Sequence, residues 1–150
     1  MRYRLRSTWL LAAPVGTCWD VLADPTMSWP RWWQGVTASG VEPRSSLVGS
    51  TADVAFRAGI GYTLRLHLVV GAATPPLQVL LRASGDLVGT ADVTLEPVDP
   101  ALTRVEIDWD VRTTRAWMNA LGPVLARPFA ASHAAVMRSG ERGLTAYLAR

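Results

Sequence analysis

At 150 residues, the chain fits one domain around one core. Its hydrophobic fraction of 49% against 18% charged residues excludes disorder, and no run approaches the roughly 18 apolar residues that a membrane-spanning helix needs. The formal charge is +3, and the 15 basic residues are all arginine. Absence of lysine beside abundant Ala, Gly and Arg reads as the coding bias of a GC-rich genome. A nucleic-acid surface needs basic residues clustered with exposed aromatics. Here the arginines are scattered singly, so no nucleic-acid partner is expected. Cys18 is the only cysteine, which excludes an internal disulfide. With only His67 and His133 beside it, a Cys/His zinc site is excluded as well, and no metal or nucleotide cofactor is expected.

Arg2, Arg4 and Arg6 ahead of Trp9-Leu10-Leu11-Ala12-Ala13 imitate a secretory leader. The apolar stretch is very short, Pro14 ends it, and the preceding residues alternate like a strand, so cytoplasm is the expected location. In residues 2–11, Tyr3, Leu5, Ser7, Trp9 and Leu11 share one face and the arginines take the other. Pro14 opens a short helix in which Val15, Cys18, Trp19 and Leu22 share a face, and Asp24-Pro25 stops it. A second short helical or irregular piece carries Trp29, Trp32 and Trp33, and Gly35 closes it.

Strands are predicted over 36–42, 50–57, 62–70, 77–87, 90–96 and 103–111. Most alternate cleanly between an apolar and a polar face. In the last of them Val105, Ile107, Trp109 and Val111 oppose Arg104, Glu106, Asp108 and Asp110. That alternation marks an antiparallel sheet covered on one side. Pro75-Pro76 and Pro97 to Pro100 supply turns. Gly59, Gly61, Gly85 and Gly89 fit no nucleotide-binding fingerprint and are expected at strand turns. From about 115 to 149 the period becomes helical, with Met118, Leu121, Leu125, Phe129, His133, Val136, Gly140, Leu144 and Tyr147 along one stripe. Pro123 and Pro128 predict a kinked or broken start and a cleaner helix from about 125.

The order is therefore one strand, two short helices, six strands and a long C-terminal helix. One helix about 10 Å across cannot cover a curved sheet of roughly seven strands, so uncovered space becomes a pocket of a few hundred Å³. Ala13-Pro14, Cys18-Trp19-Asp20-Val21-Leu22-Ala23-Asp24, Trp29-Pro30-Arg31-Trp32-Trp33, Thr103-Arg104-Val105 and the stretch from Val136-Met137 to Gly143-Leu144 resemble the START-like (SRPBCC, polyketide cyclase/dehydrase) superfamily over essentially the whole chain. The resemblance implies an α+β helix-grip fold: a curved antiparallel sheet of about seven strands wrapped around the C-terminal helix. It implies less about function, because that superfamily spans lipid carriers, receptors and cyclases.

Strand parity sends Arg65, His67 and Arg82 to solvent, although a single bulge would reverse that. The expected cavity lining is Phe56, Tyr62, Leu64, Leu66, Val79, Leu81, Val93, Trp109, Met118, Leu121, Phe129 and His133. This apolar set favours binding a small hydrophobic or aromatic molecule. The alternative is a cyclase, aromatase or dehydratase using His133 and Tyr62. His133, the one ionisable residue on the stripe, is either a general base or ligand anchor, or a buried imidazole bonded to a backbone carbonyl. Ser132 points about 100° away from it, which argues against a Ser-His dyad. Trp29, Trp32 and Trp33 either gate the cavity mouth or fill the corner between the short helices and the sheet.

Overall fold

The computed structural model describes residues 1–57 and 62–150, so Gly59 and Gly61 lie outside the described residues. The elements run β1 (Arg2–Leu11), α1 (Val15–Leu22), α2 (Trp29–Trp32), β2 (Val36–Glu42), β3 (Thr51–Arg57), β4 (Thr63–Thr74), β5 (Gln78–Gly85), β6 (Leu87–Asp99), β7 (Leu102–Thr113), α3 (Ala116–Ala120) and α4 (Gly122–Leu148). The strands form one seven-stranded sheet in the order β1-β7-β6-β5-β4-β3-β2, antiparallel throughout. β1 and β2 are thus its two edges, and α1 and α2 carry the chain between them across the concave face. The architecture is the helix-grip arrangement.

Alternation decides which face is buried. Tyr3, Trp9 and Leu11 of β1 point inward, as do Val105, Ile107, Trp109 and Val111 of β7. Their outward neighbours pair across the strands: Arg2 with Asp110 at 2.7 Å and Arg6 with Asp108 at 2.6 Å. Both pairs stand in solvent, where water and salt screen them, so they reinforce the register more than they hold the fold. The register of β2 slips between Ser39 and Glu42, where Gly40 adopts φ +54°.

Several boundaries differ from the expectation. β4 continues to Thr74, and β6 begins at Leu87 and runs through Pro97 to Asp99. Pro97 is tolerated because the β6–β7 register shifts just after it, where a missing ladder donor costs little. The C-terminal helix breaks at Leu121, and α4 starts at Gly122 rather than near 125. Pro123 lies in its first turn, where no N–H is needed, whereas Pro128 sits inside the helix. The stripe is also rotated. Phe129, Ser132, Met137, Gly140 and Leu144 are the buried line, His133 and Val136 lie on its half-buried flank, and Leu121 is exposed.

Four tryptophans lock α4 to the rest. Trp32 and Trp33 stack with centroids 5.3 Å apart, and Trp9 meets them edge-on. Three indole N–H groups donate: Trp29 to the Leu22 carbonyl at 3.0 Å, Trp32 to Ser28 Oγ at 3.1 Å, and Trp33 to the Val136 carbonyl at 3.0 Å. The last bond ties the end of α2 to α4. Glycine permits this approach. A methyl group at Gly140 would lie 2.7 Å from Trp33 Cε2 and 2.8 Å from Trp9 Cζ2, and one at Gly143 would overlap the Trp32 carbonyl.

Glycine to alanine on an unhindered helix position stabilises by about 1 kcal/mol. Here the sign reverses. Gly143→Ala lowers unfolding free energy by about 2–3 kcal/mol in urea titration, because backbone rather than a flexible side-chain end must move. A neutral or stabilising result would show that the two helices do not meet backbone to backbone.

Candidate functional site

A cavity lies between the concave sheet face and the first half of α4. Phe56 of β3, Leu64 and Leu66 of β4, Trp109 of β7, and Phe129 and His133 of α4 line it, together with Tyr62 just before β4. All seven were expected from parity and helical period. Leu5, Leu87, Val111, Ser132, Val136 and Met137 complete the wall and were not in the expected lining. Val111 shares parity with Trp109, and Leu5 was already placed on the apolar face of residues 2–11, so their strands carried the signal. Ser132 and Met137 enter because α4 is rotated relative to its apolar stripe.

The cavity is small, about 60 Å³. The chamber is therefore a narrow cleft, not the expected roomy pocket of a few hundred Å³. Large side chains take up the difference. The Tyr3 ring, for instance, stacks on Phe129 with centroids 4.3 Å apart.

The other expected lining residues lie elsewhere. Val79 and Val93 are buried on the same sheet face but outside the cleft. Leu81 and Trp29 border a second, smaller void of about 40 Å³ beneath the α1–α2 connection. Met118 is buried under α3, and Leu121 is turned to solvent. Trp32 and Trp33 are packed into the corner between the short helices, the sheet and α4, with their N–H groups satisfied within the protein. They do not border the cleft, and neither does Trp29. Arg65, His67 and Arg82 are exposed on the convex face, where His67 Nδ1 sits 2.8 Å from Asp53 Oδ1.

The cleft wall is almost all hydrocarbon, and no described residue lining it carries a formal charge at neutral pH. Two titratable groups face it. Burial pushes the His133 imidazole down to about 4, so the ring is neutral at pH 7. Its Nε2 is buried and has no hydrogen-bond partner among the described residues. The Tyr62 phenol is pushed up, first by burial and then by Tyr3 and Asp86. It stays protonated and can donate. Ser132 adds a hydroxyl to the wall, from a neighbouring direction on α4. Among the described residues no three metal-ligating side chains converge, and no helix is long and apolar enough to cross a membrane. The Cys18 thiol is buried and pushed up by burial, which makes it unreactive.

No family model matches the chain, and no curated protein sequence is similar to it. Solved structures do match over nearly its full length. Protein TTHA0849 from Thermus thermophilus is 14% identical with a TM-score of 0.74, covering 97% of this chain and 99% of that one. Protein Ms6760 from Mycobacterium smegmatis is 21% identical with a TM-score of 0.68, covering 97% and 90%. A START superfamily protein from Mycobacterium smegmatis is 15% identical with a TM-score of 0.69, covering 95% and 99%. At such identities the likeness speaks for the fold, and the chain adopts the START-like helix-grip fold.

Proposed function

We propose that the chain reversibly binds a small neutral hydrophobic or aromatic molecule bearing one polar group, held in the cleft between sheet and α4. The observation that carries this reading is the His133 Nε2, buried in a hydrocarbon wall without a partner among the described residues. A buried polar atom left unpaired costs roughly 1–3 kcal/mol, which a ligand hydroxyl or carbonyl would recover. An anionic ligand would find no counter-charge on the described wall. Even a one-ring ligand needs side chains to shift, and Met137, unbranched and flexible, is suited to yield. A second reading rests on Tyr62. A phenol donor and a neutral imidazole in one apolar cleft are the pair that a cyclase or dehydratase would use to polarise a carbonyl and accept a proton.

Phenol and toluene, similar in shape, isolate the hydrogen bond. His133→Phe shifts the phenol-to-toluene affinity ratio towards toluene by about fivefold, the equivalent of one hydrogen bond of about 1 kcal/mol. Binding is read by quenching of Trp109, so Trp109→Phe removes the signal and Trp29→Phe keeps it. An unchanged ratio in His133→Phe would remove the imidazole from the site.

His133 also sets a pH dependence. Its folded value of about 4 lies below the ordinary value of 6.5, so the unfolded chain takes the proton first. The contribution to stability is complete above 6.5 and declines as pH falls towards 4, by up to about 3 kcal/mol. Urea midpoints measured across this range fall in the wild type, with a smaller fall in His133→Phe. Parallel slopes would mean that the imidazole is solvated in the folded state.

A further inference from the structure

We propose that α3 and the outer face of the first half of α4 dock on an anionic membrane surface. Large apolar side chains stand in solvent here: Trp117 is 45% exposed, Leu121 48% and Val124 73%. The outer face of a helix that packs its other side on a core ordinarily carries acids, amides and hydroxyls. The outward line of α4 carries Val124, Pro128, Ala131 and Ala135 instead, broken by Arg127. Isolated exposed apolar residues need no explanation, but a run of them at three- and four-residue spacing along two successive helices marks an interaction face.

Charge indicates the partner. Between Asp110 and Glu141 the sequence has no acidic residue, although it has four arginines, Arg112, Arg115, Arg127 and Arg138. Arg115 is engaged: its Nε donates to Asp86 Oδ1 at 2.7 Å, fixing the start of α3 to the β5–β6 turn. Arg112 and Arg127 are exposed and make no ion pair among the described residues. Exposed Trp, Leu and Val with Arg127 among them, and Arg112 beside α3 at Asn119, suit the boundary between acyl chains and anionic headgroups. A second copy fits less well, because a self-paired face brings like charges together. Nucleic acid fits less well too, because Leu121 and Val124 offer nothing to a phosphate backbone.

The face also borders the cleft. The Trp117 ring meets Tyr62 edge-on at 5.6 Å between centroids, and Tyr62 is part of the cleft wall. A hydrophobic molecule leaving a bilayer at this point would be next to the cleft. Docking itself does not depend on whether the cleft is occupied.

Co-sedimentation with phosphatidylglycerol vesicles and with phosphatidylcholine vesicles tests the proposal. The protein pellets with the anionic vesicles and much less with the zwitterionic ones, and Trp fluorescence shifts to the blue. Leu121→Asp/Val124→Asp abolishes pelleting. Arg112→Gln/Arg127→Gln weakens it by about fivefold per arginine. Trp117→Phe loses most of the blue shift. All these side chains are exposed, so the far-ultraviolet spectrum and thermal midpoint stay near wild type, and phenol binding in the cleft is retained. Failure to pellet with phosphatidylglycerol, equal pelleting with both vesicle types, or pelleting indifferent to the aspartates would each overturn the proposal. So would a dimer that the aspartates dissociate without any vesicle binding. None of those results would touch ligand binding in the cleft, whose own test uses no lipid.

Discussion

A seven-stranded sheet with one apolar face is wider than any single helix can cover, and that mismatch governs the molecule. α4 can lie along only part of the concave surface. The remainder has to be covered by the α1–α2 crossing, by α3 and by large side chains. Those covers meet imperfectly, and the two voids fall where they do, one under α4 and one under the α1–α2 connection. Neither requires a special feature to create it. Their positions follow from where the tryptophan cluster sits between the covers.

The cluster acts as a partition. Trp9 rises from the sheet, Trp32 and Trp33 from the end of α2, and the glycines of α4 admit all three. With the Trp33 N–H bound to the Val136 carbonyl, the rotation of α4 is set within a few residues of His133. The same contact that holds the helix therefore orients the imidazole. It leaves His133 on the flank of the buried line, where Nε2 is shielded from water.

Strand parity was the most legible part of the sequence. It identified the buried faces of β1, β3 and β7 and sent Arg65, His67 and Arg82 outward, because a period of two leaves little freedom once one face is apolar. Helical rotation was less legible. The stripe ran through His133 with Ser132 about 100° away, yet Ser132 is the more deeply buried of the two. That depends on how closely Gly140 and Gly143 let α4 approach α2, a tertiary contact without a local pattern. The cavity volume was not legible at all. Alternation reveals that Val79, Leu81 and Val93 face inward, but not which inward residues meet a helix, another side chain or empty space. The tryptophans show the same gap. Their spacing is equally suited to a mouth and to a corner, and their N–H partners, remote in the sequence for Trp33, place them in the corner.

An open sheet has two rims with unspent backbone hydrogen-bonding groups, each a template on which another chain could add itself as a further strand. Both rims are spoiled here. On β2 the slipped register between Ser39 and Glu42, with Gly40 at φ +54°, bends the rim out of the straight path that an incoming strand would follow. On β1 the Leu10 N–H is already taken by Glu141 Oε2 at 2.9 Å, a carboxylate reaching down from α4. The side chain that ends the acid-free stretch of α4 thus also occupies a backbone donor that an added strand would need at that rim.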